Sequence, residues 1–236
     1  MRRVFLSASV PTGRKRYPRA ADHLLTAQPV LIRDAVLAMV REGLRSGFDF
    51  VFGAHPSIAP IVLTVAREFP SDRPRIEVFQ SRLFEAVFPQ ETLELADGVL
   101  GLLTPVPAEP PPPAAPDREQ SLAAMRMAII SSRELVAAIV IGGMDGVTDE
   151  ATMFLSHHRR SLPLYALGST GGAALDLFDR PPPGFSADDF CGGAAAPVER
   201  DLLCEQVPGY ARVARAIFRA VAAAGAPPMP PLTSRA

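Results

Sequence analysis

Four short runs in this chain concentrate the residue types that bind anions and sugars. The turn Gly142-Gly143-Met144-Asp145-Gly146 places three glycines directly after a long apolar run. Glycine admits positive φ and close approach of a ligand to the backbone, as a strand reversing into a helix around a phosphate requires. The turn Gly168-Ser169-Thr170-Gly171-Gly172 repeats the arrangement with two hydroxyls, which suit phosphate or ribose. Neither is a P-loop, because the Lys-Ser/Thr pair is missing, and the first turn's spacing differs from GxGxxG followed by a ribose-binding acid. Each turn also has a plain reading as a tight connection without a ligand.

Two further loops carry polar groups. Ser7, Ser9 and Thr12 precede Arg14, Lys15, Arg16 and Arg19. At a ligand edge these cations would hold a polyphosphate; elsewhere they would form a solvated face. In Phe52 to Pro60, FGAHPSIAP, a turn brings Gly53, His55 and Ser57 together, and the imidazole suits a base, ribose or phosphate. His157 and His158 stand beside Arg159 and Arg160 near a helix end. We assign them to the surface, where cations complement the helix dipole.

Short runs rich in Val, Ile, Leu and Phe alternate with longer helical patterns, the signature of a parallel sheet covered on both faces. Strands are expected at Arg3 to Ser9, Asp49 to Gly53, Arg75 to Gln80, Gly98 to Thr104, Leu135 to Ile141 and Pro163 to Gly168. Helices fit Pro29 to Arg45, Ser57 to Phe69, Leu83 to Leu95, Asp117 to Ser132, Asp149 to Arg160 and Tyr210 to Ala224, with Thr148 or Asp149 capping the fifth. The fold class is therefore α/β, Rossmann-like, with a mostly parallel sheet of about six strands and helices on both faces. Such sheets hold ligands beyond the carboxyl ends of their strands, so all the polar loops above fall on one edge.

The expected organisation is a single domain over 1–224, a Pro-rich extended loop near 105–116 and a disordered tail over 225–236. Residues 185–207 are Gly/Ala-rich without a clear period and have no assigned element. Lys plus Arg (24) nearly balances Asp plus Glu (25), and the one basic cluster lacks interleaved aromatics, which argues against nucleic acid. Cys191 and Cys204 have no nearby His pair, so they read as reduced structural thiols, and no metal or other cofactor is demanded. The first apolar run is followed by cations, the wrong order for a signal peptide, and Leu135 to Met144 is about half the length a bilayer needs. A cytoplasmic protein without membrane contact is expected.

The run GGMDGVTDE resembles the GG-x-G-T-x-x-E signature of the LOG-type nucleotide phosphoribohydrolases and of the SLOG superfamily, which joins LOG-like and DprA-like domains. Gly142, Gly143, Gly146 and Glu150 match it, with one extra residue in the turn and Val147 in place of Thr. Arg126 stands sixteen positions before Gly142, where the family places an Arg; its neighbour is Met127 where the family has Lys. In LOG-type enzymes that Arg and that Glu carry hydrolysis of the bond between base and ribose 5-phosphate. The resemblance thus implies catalytic roles for Arg126 and Glu150 if this chain is an enzyme.

VFLSASVP at the opening, FGAHPSIAP and GGMDGV look more like the stand-alone or sensor SLOG domains linked to bacterial immune systems. There the family implies a pocket for an NAD-derived, ADP-ribose-like or cyclic ADP-ribose-like signal, and a homodimer or higher homo-oligomer. On that reading Ser7, Ser9, Arg14, Gly53, His55, Gly142, Gly143, Asp145, Gly146, Glu150, Gly168, Ser169 and Thr170 form the ligand site. The alternatives are an enzyme cleaving an N-glycosidic bond, either LOG-like or similar to nucleoside deoxyribosyltransferases, and a protein-interaction module without a ligand.

Overall fold

The computed structural model describes residues 1–12, 20–83, 94, 100–106, 118–206 and 208–225. Its strands are β1 Arg2–Ser9, β2 Phe48–Gly53, β3 Ile76–Ser81, β4 Leu100–Val106, β5 Leu135–Gly142 and β6 Leu164–Leu167. All neighbouring pairs are parallel, in the order β4-β3-β2-β1-β5-β6. From Val4 to Ser9 and from Ala137 to Gly142 every residue is buried, because helices cover both faces. That is why these strands read as unbroken apolar runs and not as alternating ones.

The helices are α1 Ala20–Thr26, α2 Pro29–Arg45, α3 Ala59–Ala66, α4 Arg118–Ile130, α5 Asp145–His157, α6 Gly172–Asp179, α7 Arg200–Leu203 and α8 Tyr210–Ala224. In α2, Pro29 takes a first-turn position and Ile32, Ala35, Val36, Met39, Val40, Gly43 and Leu44 make the buried stripe of an amphipathic helix. It packs on β2 and β5 and against α3 and α8. On the other face α4 lies over β2 and β3, α5 over β1 and β5, and α6 over β5 and β6. Phe5, Phe48, Phe50, Phe52 and Phe154 are fully buried between these layers, each worth roughly 1.5–3 kcal/mol of transfer free energy.

The chain steps from β1 through β2 and β3 to β4, then crosses back to lay β5 on the free side of β1. Winding therefore reverses between β1 and β5. The carboxyl ends of such a strand pair are where open α/β sheets hold their ligands.

Several boundaries differ from expectation. The fifth expected helix, Asp149 to Arg160, instead runs Asp145–His157, since Gly142 and Gly143 complete the reversal and Met144 is its N-cap, with no side-chain cap. Thr148 and Asp149 therefore lie inside the helix. The helix expected at Ser57 starts at Ala59, because His55 O accepts the amides of Ile58 and Ala59 in a preceding turn. β4 continues to Val106, with Pro105 tolerated because the strand is at the sheet's edge. His158 is half-buried, not a surface residue, with Nε2 3.1 Å from Ile130 O and its ring 4.7 Å from that of Phe154.

Residues 185–206 prove to be a cover for the β6 edge. Ser186 and Asp189 cap a short 3-10 turn, Cys191 forms an isolated antiparallel bridge with Tyr165, and Tyr165 OH donates to Ala196 O at 2.7 Å. Cys191 and Cys204 are free, and burial pushes the Cys191 thiol up to about 11. The expected helix from Leu83 to Leu95, apart from Leu83 and Glu94, the Pro-rich loop beyond Val106, the tail beyond Gly225 and Arg14 lie outside the described residues.

Candidate functional site

Ser9 and Gly142 are register partners at the carboxyl ends of β1 and β5. Gly142 and Gly143 then take φ of +59° and +89°, which bends the chain from β5 directly into α5. Their amides serve the protein itself: Gly142 N donates to Thr170 Oγ1 and Gly143 N to Ser9 O, both at 2.8 Å. The donor edge facing an anion is therefore one step further on, at the very start of α5 and short of Val147, whose amide donates to Met144 O at 2.8 Å.

On β1, Phe5 and Ser7 are two apart and share a face; on α5, Glu150 and Phe154 are four apart and share a stripe. Phe5 packs on Phe154 with ring centroids 6.3 Å apart, and Ser7 Oγ donates to Glu150 Oε2 at 2.5 Å. The carboxylate thus occupies a rung of the strand–helix interface where an apolar side chain would ordinarily sit. Burial pushes its pKa up, opposed by the Arg126 charge and the Ser7 hydrogen bond. A half-buried carboxyl with such opposed influences at a strand end is a recognisable candidate for ligand recognition or acid–base work.

Arg126 reaches this point from α4. Its NH1 lies 3.2 Å from Asp149 Oδ2, and its Nε, 3.5 Å from Glu150 Oε1, makes no hydrogen bond. The guanidinium reaches the first turn of α5 with its NH2 end, where a Cβ on Gly146 would stand 2.7 Å from Arg126 NH2 and 3.8 Å from its Cζ. Gly146 thus serves close approach, while Gly142 and Gly143 make the turn.

Beside this cluster, Val10 N donates to Ser57 Oγ at 3.2 Å, tying the loop after β1 to the loop after β2. Ser57 Oγ and Ser57 N approach His55 Nδ1 at 2.8 and 3.3 Å. With Nδ1 accepting, the neutral ring carries its hydrogen on Nε2. Burial lowers the His55 pKa and favours that neutral form. Gly53, half-buried, faces Met125 on α4.

The second Gly-rich turn has a different setting. Gly168–Thr170 is one 3-10 turn in which Ser169 Oγ meets Tyr210 OH at 3.1 Å and Thr170 Oγ1 donates to Leu167 O at 2.6 Å. Thr170 is fully buried. Gly171 and Gly172 form a seat for α1: a Cβ on Gly171 would come within 1.9 Å of Thr26 O, and Gly172 N donates to Thr26 Oγ1 at 3.0 Å. Of the expected residues, the structure gathers Ser7, Ser9, Gly142, Gly143, Asp145, Gly146, Glu150 and Arg126 at the switch point. Gly53 and His55 stand at the neighbouring strand end. Ser169 is bonded to α8, and Thr170 braces the first turn from inside.

His23 went unread in the sequence. It is 1% exposed, with Nε2 3.0 Å from Asp176 Oδ2 and Nδ1 3.4 Å from Asp145 Oδ1. Helix α1 turns His23 inward and leaves Leu25 84% exposed, the inverse of the apolar pattern by which helices are found.

Residues 22–189, well over half of the chain, match the family model described as SLOG cluster3 family. The chain belongs to the SLOG cluster3 family. This SLOG chain is thus a nucleotide-related domain of Rossmann-like architecture. Among solved structures it is similar to TM1055, a structural-genomics target determined by X-ray crystallography, at 15% identity over 76% of this chain and 81% of that one, with a TM-score of 0.47. No curated protein matches it. Among the described residues no helix is long and apolar enough to cross a membrane.

Proposed function

We propose that this SLOG domain binds a nucleotide-derived ligand of the ADP-ribose, cyclic ADP-ribose or NAD class and acts as a sensor or signalling module in bacterial nucleotide-based defence. The observation that carries the reading is Glu150, half-buried at the β1–β5 switch point between Ser7 and Arg126. In this reading Arg126 and the first-turn amides of α5 hold phosphate, and Glu150 with Ser7 meets a ribose hydroxyl. Neutral His55 supplies a donor at the adjacent strand end. A soluble homo-oligomer working in the cytoplasm, with the domain extending over 1–224, completes the proposal.

The raised pKa of Glu150 supports a second reading, a LOG-like or deoxyribosyltransferase-like enzyme cleaving an N-glycosidic bond. A carboxyl whose hold on its proton is strengthened by burial suits proton transfer as the base departs. Incubation with a nucleotide panel separates the two. Ligand recovered intact, with a thermal shift, supports the sensor. Steady release of free base that stops in Glu150→Gln supports the enzyme and sinks the sensor. No shift with any nucleotide sinks both and leaves a protein-interaction module.

A further inference from the structure

Helix α1 is fastened to the domain by its polar side. Leu24 and Leu25 face outward, 39% and 84% exposed, while His23 and Thr26 make the inward contacts. His23 Nε2 meets Asp176 Oδ2 on α6, and the other oxygen of Asp176 accepts from Arg180 NH2 at 2.7 Å. Nε2 and the Thr26 hydroxyl together anchor α1 to α6. Yet His23 Nδ1, wholly out of solvent, faces Asp145 Oδ1 at 3.4 Å, inside ion-pair range but outside hydrogen-bond geometry.

Asp145 is the first residue of α5, the helix that carries Gly146, Asp149 and Glu150. Whatever restrains its side chain also restrains the direction of the first-turn amides and the approach of Arg126 over Gly146. We infer that His23 is a positioning residue of the candidate pocket, acting through Asp145. Its ligand-dependent half rests on the nucleotide-binding reading above. One imidazole ring spans two helices: Nε2 fixes it to α6, and Nδ1 presents nitrogen to the start of α5.

Two conservative variants divide these contacts. In His23→Gln the amide nitrogen falls near the place of Nε2 and the nitrogen facing Asp145 is lost; in His23→Asn the reverse holds. Two readouts apply to the full chain: amide hydrogen exchange at Asp145 to Val147 without ligand, and ADP-ribose affinity by calorimetry. His23→Gln should keep the melting temperature, speed that exchange and weaken ADP-ribose about five- to tenfold. His23→Asn should lower the melting temperature and keep slow exchange in the first turn of α5. The inference is overturned if His23→Gln matches the wild type in both readouts, or if both variants loosen α1 without changing α5. Should the wild type bind no ADP-ribose, the functional proposal falls, while the exchange measurement still decides the role of His23.

Discussion

Ser7 and Glu150 stand 143 positions apart in the chain and share a hydrogen bond of 2.5 Å, the polar rung directly next to the packing of Phe5 on Phe154. Removing the hydroxyl leaves a half-buried carboxyl with one fewer stabilising group. Ser7→Ala is expected to cost about 1–3 kcal/mol, seen as a melting temperature lower by several degrees in thermal unfolding. An unchanged melting temperature would mean that the hydrogen bond contributes nothing.

The Glu150 carboxyl binds its proton more tightly folded than unfolded, because burial outweighs Arg126 and Ser7. Its contribution to stability is complete below the unfolded value, about 4.3, and is lost as pH rises through the raised folded value. Glu150→Gln does not titrate. Urea midpoints of the two chains should therefore diverge in favour of the variant as pH rises from about 4 to about 8. Curves that stay parallel would contradict a raised pKa at Glu150.

His55 and His158 shift the other way, both lowered chiefly by burial. Their contribution is complete above the unfolded value, about 6.5, and is lost as pH falls through the folded values. NMR titration of the ring protons should give midpoints below about 6.5 for both. A His55 midpoint at or above that value would oppose the assignment of a neutral ring with hydrogen on Nε2.

Two glycines of the same turn should behave differently. A Cβ on Gly143, at φ +89°, would meet Val147 Cγ2 at 2.4 Å, so Gly143→Ala is expected to destabilise by about 2 kcal/mol or more. Gly146 is helical, and its Cβ would meet only the mobile end of Arg126. Gly146→Ala should leave the melting temperature within a few degrees of wild type and weaken nucleotide binding about tenfold by displacing the guanidinium. Equal losses of stability in the two variants would refute this division of roles.

The sheet was legible because its strands are buried on both faces: VAAIVIG and VFLSAS need no partner to announce themselves. α2 and α8 were legible to the residue, Pro29–Arg45 and Tyr210–Ala224, since each carries an unbroken apolar stripe. The start of α5 was missed by four positions because nothing in GGMDG shows how few glycines the reversal needs. Likewise, α1 was hidden by its outward leucines, and 185–206 by contacts with β6 that no local period encodes. At the site, residue types and strand ends brought Ser7, Glu150 and Arg126 into one reading. What spacing could not reveal was that Thr170 and Gly171 face inward, bracing the first turn and seating α1.

Hydrogen exchange of the full chain, with and without saturating ADP-ribose, tests the location of the pocket most directly. The account predicts slowed exchange at Ser7 to Val10, at Asp145 to Glu150 and around Arg126, with little change along β6 and α8. Protection confined to other segments, or none at any nucleotide concentration, would contradict a nucleotide site at the β1–β5 switch point.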